Sequence, residues 1–223
     1  MGMIHLQHNR IRLALHDLRA KRGDVASSKP LLLLHGLGER APRHAPVELA
    51  SWPGPVYGLD FTGHGESTVP RGGGYTAELL LADVDVTLRH LGPSTVMGRG
   101  LGAYIALLAA GASPEFVRGA ILRDGPGLAG GGAGASTPFV PFVDASAAAP
   151  PDPFALVELA VDIRAPDYAS VFARHAVQLS GMRRPISVCA AERPSWLSAV
   201  VAEAGVEATS IREALAHYAG DNP

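Results

Sequence analysis

The chain has very little cysteine: Cys189 is the only one among 223 residues, so no internal disulfide can form. The segment around it, PISVCAA, is apolar and predicts a buried strand thiol rather than a reactive one. An excess of basic residues is also missing, because 19 Lys and Arg stand against 21 Asp and Glu and the net charge is -2. Without a basic patch, and with Lys and Arg scattered along the chain, nucleic-acid binding is not expected.

Long apolar runs are absent as well. The run Leu31–Leu34 is far too short to span a bilayer, which needs about 20 residues, so no membrane association is expected. The start, MGMIHLQHNRIRL, lacks the basic segment and apolar run of a signal peptide, which favours a cytoplasmic location. What the chain does have is a 47% hydrophobic content, enough for the core of one α/β domain.

Segments typical of strands alternate with segments typical of helices. Residues 5–20 predict an antiparallel hairpin with one solvated face, and a short helix is expected in GERAPRHAPVELASW. Later buried strands are predicted in PLLLLHGLG, VYGLDFTGHGES, STVMGRG, VRGAILRDG and PISVCAAE, with a short strand in VEATSI and helices between them. This order predicts a mostly parallel, doubly wound sheet with right-handed crossovers.

The alternation is interrupted once, between residues 125 and 182. Residues 125–153 are rich in Gly, Pro, Ala and Ser and predict a lid or a disordered loop, and two helical patterns follow. We therefore expect a core formed by residues 1–124 and 183–223, with residues 125–182 as a small mobile cap.

Three glycine motifs occur in a fixed order: HGLG at residues 35–38, DFTGHGES at 60–67 and GRGLG at 98–102. Together they resemble the α/β-hydrolase superfamily, with GRGLG at the strand-to-helix turn that carries the nucleophile. The resemblance implies an α/β-hydrolase fold whose oxyanion hole takes backbone N–H groups from Leu37 and Leu101. The glycines alone are equally compatible with tight turns that have no other role.

The nucleophile serine itself is missing, because Gly100 occupies its position. Glycine has no nucleophilic side chain, so an acyl-serine mechanism cannot run there. The superfamily's triad order of nucleophile, acid and histidine, which the resemblance implies, makes His217 the candidate catalytic histidine, Glu192 the candidate acid and Asp124 the alternative acid. His217 is equally compatible with an exposed position on a terminal helix, and Glu192 with a carboxylate that stabilises a helix start.

The candidate binding residues lie beside the same motifs. His35, Gly36 and Arg99 are the candidate substrate-binding residues, although His35 is also compatible with a packed histidine that supports the oxyanion loop. The expected ligand is a small, apolar, ester-like carbonyl compound, in a pocket between Leu37, Gly100, Leu101, Glu192 and His217. No cofactor or metal is expected, and the oligomeric state is left open.

Three explanations of Gly100 remain: a replacement made to inactivate the enzyme, activation of water by His217 in the space of the serine, or binding without turnover. GRGLGAYIALLAAG also resembles the elbow of the N-myc downstream-regulated proteins, α/β-hydrolase-fold members that lack the nucleophile. A different class is possible too, because Gly98, Gly100 and Ala103, followed by Asp124, fit a dinucleotide-binding fingerprint. Two buried strands with their own glycine loops precede it, which argues against that class.

Overall fold

The computed structural model describes residues 2–18, 29–131 and 149–220. Within them lies one eight-stranded sheet of order β1-β2-β4-β3-β5-β6-β7-β8. Its strands are β1 (Met3–His8), β2 (Ile11–Asp17), β3 (Leu31–Leu34), β4 (Val56–Asp60), β5 (Ser94–Arg99), β6 (Val117–Arg123), β7 (Ile186–Val188) and β8 (Val206–Ala208). The helices are α1 (Ala77–Leu91), α2 (Leu101–Ala112), α3 (Pro153–Val161), α4 (Pro166–Leu179), α5 (Ser195–Val201) and α6 (Ile211–Ala219).

The strand directions confirm the predicted architecture. β1 pairs with β2 and β2 with β4 in antiparallel fashion, whereas every pair from β4 to β8 is parallel. The carboxyl ends of the parallel strands therefore meet at one edge of the sheet, where loops can assemble a site.

Local sequence signals explain where the helices begin and end. The Thr76 side chain accepts the Leu79 N–H and starts α1, and Gly92 ends it at a φ of 77°. Ser210 and Glu213 form a reciprocal capping box at the start of α6. α2 has no side-chain cap, but all of its residues except Ala112 are buried, so packing rather than capping stabilises it.

The two faces of the sheet are covered unequally. The larger hydrophobic cluster lies on the face that carries α1, α2, α4 and α5. The smaller cluster, on the opposite face, includes Leu33, Met97, Trp52 and, from α6, Leu215. Only α6 is a full helix on that side among the described residues.

The short helix expected between β3 and β4 is reduced to a single 3₁₀ turn at Val47–Leu49. Pro46 immediately precedes this turn, and Pro53 follows it closely and disfavours the helical conformation at Trp52. Pro53 therefore limits how far a helix could extend here, and only one turn forms. The consequence is a thinner layer over this face of the sheet.

The segment predicted as a cap includes α3 and α4, and its residues 132–148 lie outside the described residues. α4 packs against α2 and α5. α3 docks on the carboxyl edge, where Asp152 accepts the Tyr75 hydroxyl at 2.6 Å and Glu158 accepts the Gly74 and Tyr75 N–H groups. The division into core and cap stays a prediction.

Replacing Gly111 by alanine tests the contact between α2 and α4. In an isolated helix this change stabilises by about 1 kcal/mol. Here a Cβ at Gly111 would lie 2.5 Å from the Phe172 carbonyl oxygen, so we expect Gly111→Ala to destabilise the protein by about 1–3 kcal/mol in urea unfolding. Ala112→Gly, at the exposed neighbouring position, is the control and should cost no more than about 1 kcal/mol.

Candidate functional site

The turn between β5 and α2, which we call the elbow, is the place where the sequence predicts the nucleophile. Gly100 lies between the two elements with φ 59° and ψ -122°, a conformation that is strained for residues other than glycine. Its N–H donates to the Arg123 carbonyl at 3.0 Å, which ties the elbow to the end of β6. Gly100 thus gives the elbow a tight backbone turn and carries no side chain.

Two backbone N–H groups converge beside Gly100. The Leu37 N–H and the Leu101 N–H both donate to one acceptor, at 3.0 and 2.9 Å, and these are the two groups predicted to form the oxyanion hole. The acceptor is the carbonyl oxygen of Pro126 in the same chain. We call residues 125–128 the plug, because they place a neutral carbonyl against the two N–H groups that the sequence predicts as the oxyanion hole.

The plug also fills the space of the absent side chain. A Cβ added at Gly100 would lie 2.0 Å from the Pro126 oxygen and 2.6 Å from the Gly125 carbonyl carbon. Both atoms belong to the backbone, so a rotamer change cannot relieve the overlap. A serine at position 100 is therefore incompatible with this position of the plug.

Side chains from two other elements hold the plug. The Nη1 group of Arg164, in the α3–α4 connection, donates to the carbonyls of Gly127 and Leu128. Trp196 Nε1 donates to the Leu128 carbonyl at 2.8 Å. Arg164 is only 3% exposed and lies over the Tyr104 ring, and burial lowers its pKa to about 10, so it remains charged at neutral pH.

The two candidate acids, Asp124 and Glu192, lie close together, and the Asp124 side chain contacts the backbone at Glu192. The Asp124 carboxylate accepts the N–H groups of Ala191 and Glu192 at 2.7 and 2.9 Å, which fixes the turn after β7. Glu192 is exposed. The carboxylates therefore lie at the carboxyl edge, with Asp124 in a structural role.

His217 is not brought together with Gly100. Its Nδ1 lies 3.0 Å from Arg184 Nη2, and its ring packs against Tyr218 on α6. Arg184 precedes β7, whereas Gly100 follows β5, so His217 and Gly100 lie at opposite edges of the parallel sheet. Burial and the Arg184 charge also lower the pKa of His217. His217 therefore lies on the last described helix, α6, as the alternative interpretation of this residue has it.

Gly36 and Arg99 both bind the carboxylate of Glu39, and His35 precedes Gly36 in the same loop. Glu39 accepts the Gly36 N–H at 3.0 Å and pairs with Arg99 Nη1 at 2.5 Å. The buried His35 ring bonds the Gly36 carbonyl through Nδ1 and accepts the Phe61 N–H at Nε2. Its nitrogens are thus used to fix the loop after β3, and burial, helped by His64, lowers the pKa of His35 to about 3.

A cavity of about 730 Å³ opens beside this loop. It is lined by His35 and Arg99 together with residues of the β3–β4 connection and the ends of β5 and β6. Leu37, Gly100, Leu101, Glu192 and His217, which were expected to enclose the pocket, do not line it. The cavity lies on the face of the sheet that has the thinner layer.

Sequence reasoning missed Pro126, Arg164 and Glu39. The contribution of Pro126 is a backbone carbonyl, which any residue has, so no residue type signals it. Glu39 directly follows HGLG and could have been paired with Arg99 by charge.

In the described part of the chain, no three His, Cys, Asp or Glu side chains are grouped as metal ligands would be. Half-buried Cys189 follows β7, and burial raises its pKa to about 11.

Comparison with known protein families bears on the fold of the chain. The model of the serine aminopeptidase S33 family matches residues 26–135, the range that contains all three glycine motifs. The chain has the α/β-hydrolase fold. A search of curated proteins finds no match to this α/β-hydrolase-fold chain. None of the helices in residues 2–18, 29–131 and 149–220 has the length and apolarity needed to cross a bilayer.

Several solved structures are similar to it. A hypothetical protein of Pseudomonas aeruginosa is 27% identical, with 56% of this chain and 44% of that chain covered and a TM-score of 0.45. Epoxide hydrolase A of Mycobacterium thermoresistibile is 26% identical, with 55% of this chain and 38% of that chain covered and a TM-score of 0.47. An epoxide hydrolase of Vigna radiata is 19% identical, with 55% of this chain and 38% of that chain covered and a TM-score of 0.45. The chain therefore spans less than half the length of these structures.

The buried histidine predicts a pH dependence of stability. Because the pKa of His35 falls from 6.5 to about 3 on folding, the unfolded chain holds an extra proton between these values, and stability is lost as pH falls through this window. Between pH 7 and 5 this loss is about 2 kcal/mol, measured by urea unfolding. His35→Gln should show a shallower loss than the parent, whereas equal slopes would contradict the assignment. His5→Gln, at an exposed histidine, is the control for removing one titratable group.

The plug predicts slow hydrogen exchange at the Leu37 and Leu101 amides, because both are bonded to Pro126 rather than to water. In Arg164→Met, which lacks the donors to the plug, we expect these two amides to exchange at least about tenfold faster, while amides of β5 keep their protection. The measurement is residue-resolved exchange by NMR. Arg174→Met removes an exposed arginine of α4 and is the matched control. Fast exchange of both amides in the parent would show that the plug is open.

Proposed function

We propose that this protein binds a small molecule without hydrolysing it and uses an α/β-hydrolase fold as the binding scaffold. The observation that carries the proposal is the Pro126 carbonyl, bonded to the Leu37 and Leu101 N–H groups at the apex of the elbow. Those donors are the ones that a hydrolase of this fold needs for its transition state.

The proposal rests on the chemistry of acyl transfer, which needs a nucleophile, a base and an oxyanion hole together. Gly100 supplies no nucleophile, and His217 lies at the opposite edge of the sheet. For the same reason, activation of water by His217 has no geometric support. The loop after β8 is Thr209 and Ser210, so no histidine is present there either.

Hydrolysis of a small, apolar, ester-like compound is the second candidate. One observation favours it: the backbone of Gly100 retains the elbow conformation. It would require the plug to withdraw and a nucleophile to come from elsewhere. Dinucleotide binding is weaker still, because the first N–H of α2, that of Leu101, is occupied by Pro126.

Restoring the serine tests the proposal. We expect Gly100→Ser and Gly100→Ala to be destabilised by about 2–4 kcal/mol, because a Cβ meets the Pro126 carbonyl and φ is positive. Neither variant should hydrolyse p-nitrophenyl acetate or butyrate. Stability is measured by urea unfolding, and hydrolysis against a mock purification from cells without the gene.

Gly2→Ser is the matched control, since a Cβ at Gly2 meets no atom within 4 Å. It should keep the stability of the parent. The proposal is wrong if the parent hydrolyses either ester above the mock level. It is equally wrong if Gly100→Ser keeps the parent's stability and gains esterase activity, because the plug would then be no obstacle.

A further inference from the structure

The floor of the 730 Å³ cavity is apolar, and it lies on the face of the sheet that carries α6. Leu33 of β3 and Met97 of β5 are register partners on this face of the sheet, and Leu49 of the 3₁₀ turn adds a third apolar wall. The volume lies in the range of small-molecule sites, about 300–1,000 Å³.

Two arginines stand side by side at one end of this floor. Arg99 and Arg123 end β5 and β6 as register partners, and Arg99 lies two residues after Met97, so it shares the face of the floor. Like charges at paired strand positions repel each other. Anionic partners nearby offset this repulsion.

The protein supplies part of that negative charge itself. Arg99 Nη1 pairs with Glu39, and Arg123 Nη1 pairs with Glu48, each at 2.5 Å. Each guanidinium has five N–H donors, so donors remain for a ligand. The Arg99 and Arg123 side chains are 46% and 24% exposed, which leaves them accessible.

The charges that line the cavity do not cancel. Arg40 is the third arginine of the lining and makes no ion pair with any residue that the structure describes. Three arginines thus face two glutamates, and one positive charge is uncompensated. The glutamates would repel a dianion such as a phosphate monoester, whereas a single negative charge restores balance.

We propose that the cavity binds a small organic monocarboxylate. Its carboxylate lies between Arg99 and Arg123, and its apolar body lies on Leu33, Met97 and Leu49. A planar guanidinium pairs with a carboxylate in two-point geometry, which fixes the orientation of the ligand. This inference rests on the proposed function, because it names the ligand class of a protein that binds without turnover.

Octanoate is the probe, with 1-octanol as the same chain without the charge. We expect calorimetry to show that octanoate binds the full chain at least tenfold more tightly than octanol, and NMR to show a shift of the Met97 methyl signal. Arg99→Gln should weaken octanoate binding at least tenfold and leave octanol binding unchanged. Arg123→Lys, which keeps the charge and loses the fork, should weaken it less than Arg123→Gln.

Arg174→Gln, at an exposed arginine of α4, is the matched control and should bind octanoate as the parent does. Equal binding of octanoate and octanol, or an unchanged affinity in Arg99→Gln, overturns the inference. The same preparations are assayed with p-nitrophenyl butyrate. Ester hydrolysis by the parent refutes the proposed function, whereas absence of both hydrolysis and octanoate binding refutes only the ligand class.

Discussion

The hydrogen bonds from Leu37 and Leu101 to the Pro126 carbonyl are the constraint on which the rest of the site depends. An N–H at the start of a helix must find an acceptor, and a hydrolase leaves such groups free for the charge that develops during reaction. Here the Pro126 carbonyl is the acceptor, so the same dipoles stabilise the folded ground state. Arg164 and Trp196 extend this arrangement to the α3–α4 connection and α5, because both hold the Leu128 carbonyl.

The cavity lies on the face of the sheet that α6 covers, beside the loop after β3. The β3–β4 connection contains one 3₁₀ turn and no α-helix, so Met97 and its register partners are covered by less protein than the opposite face. The parallel register then places two arginines at the end of this apolar floor. The cavity is therefore a product of two local features, a proline-bounded loop and strand alternation.

The sequence predicted the fold well because the fold depends on patterns that extend over many residues. Buried strands, amphipathic α1 and the order of the three glycine motifs each constrain the same topology. The site was less predictable, since it depends on single contacts. His217 follows β8 as a catalytic histidine would, yet it lies one helix turn or more beyond the loop at the carboxyl edge and faces Arg184 instead. The Pro126 carbonyl has no signature in the sequence at all.

Gly100 consequently has a structural role in addition to its lack of a nucleophilic side chain. A glycine relieves strain at a positive φ, and it also lets a carbonyl approach to where a Cβ would stand. Once the plug has taken this position, it contributes two backbone hydrogen bonds and its contacts with Arg164. A serine at position 100 would require the Pro126 carbonyl to leave this position. A side chain at position 100 would thus meet both a positive φ and the Pro126 carbonyl, so the position of the plug favours glycine there.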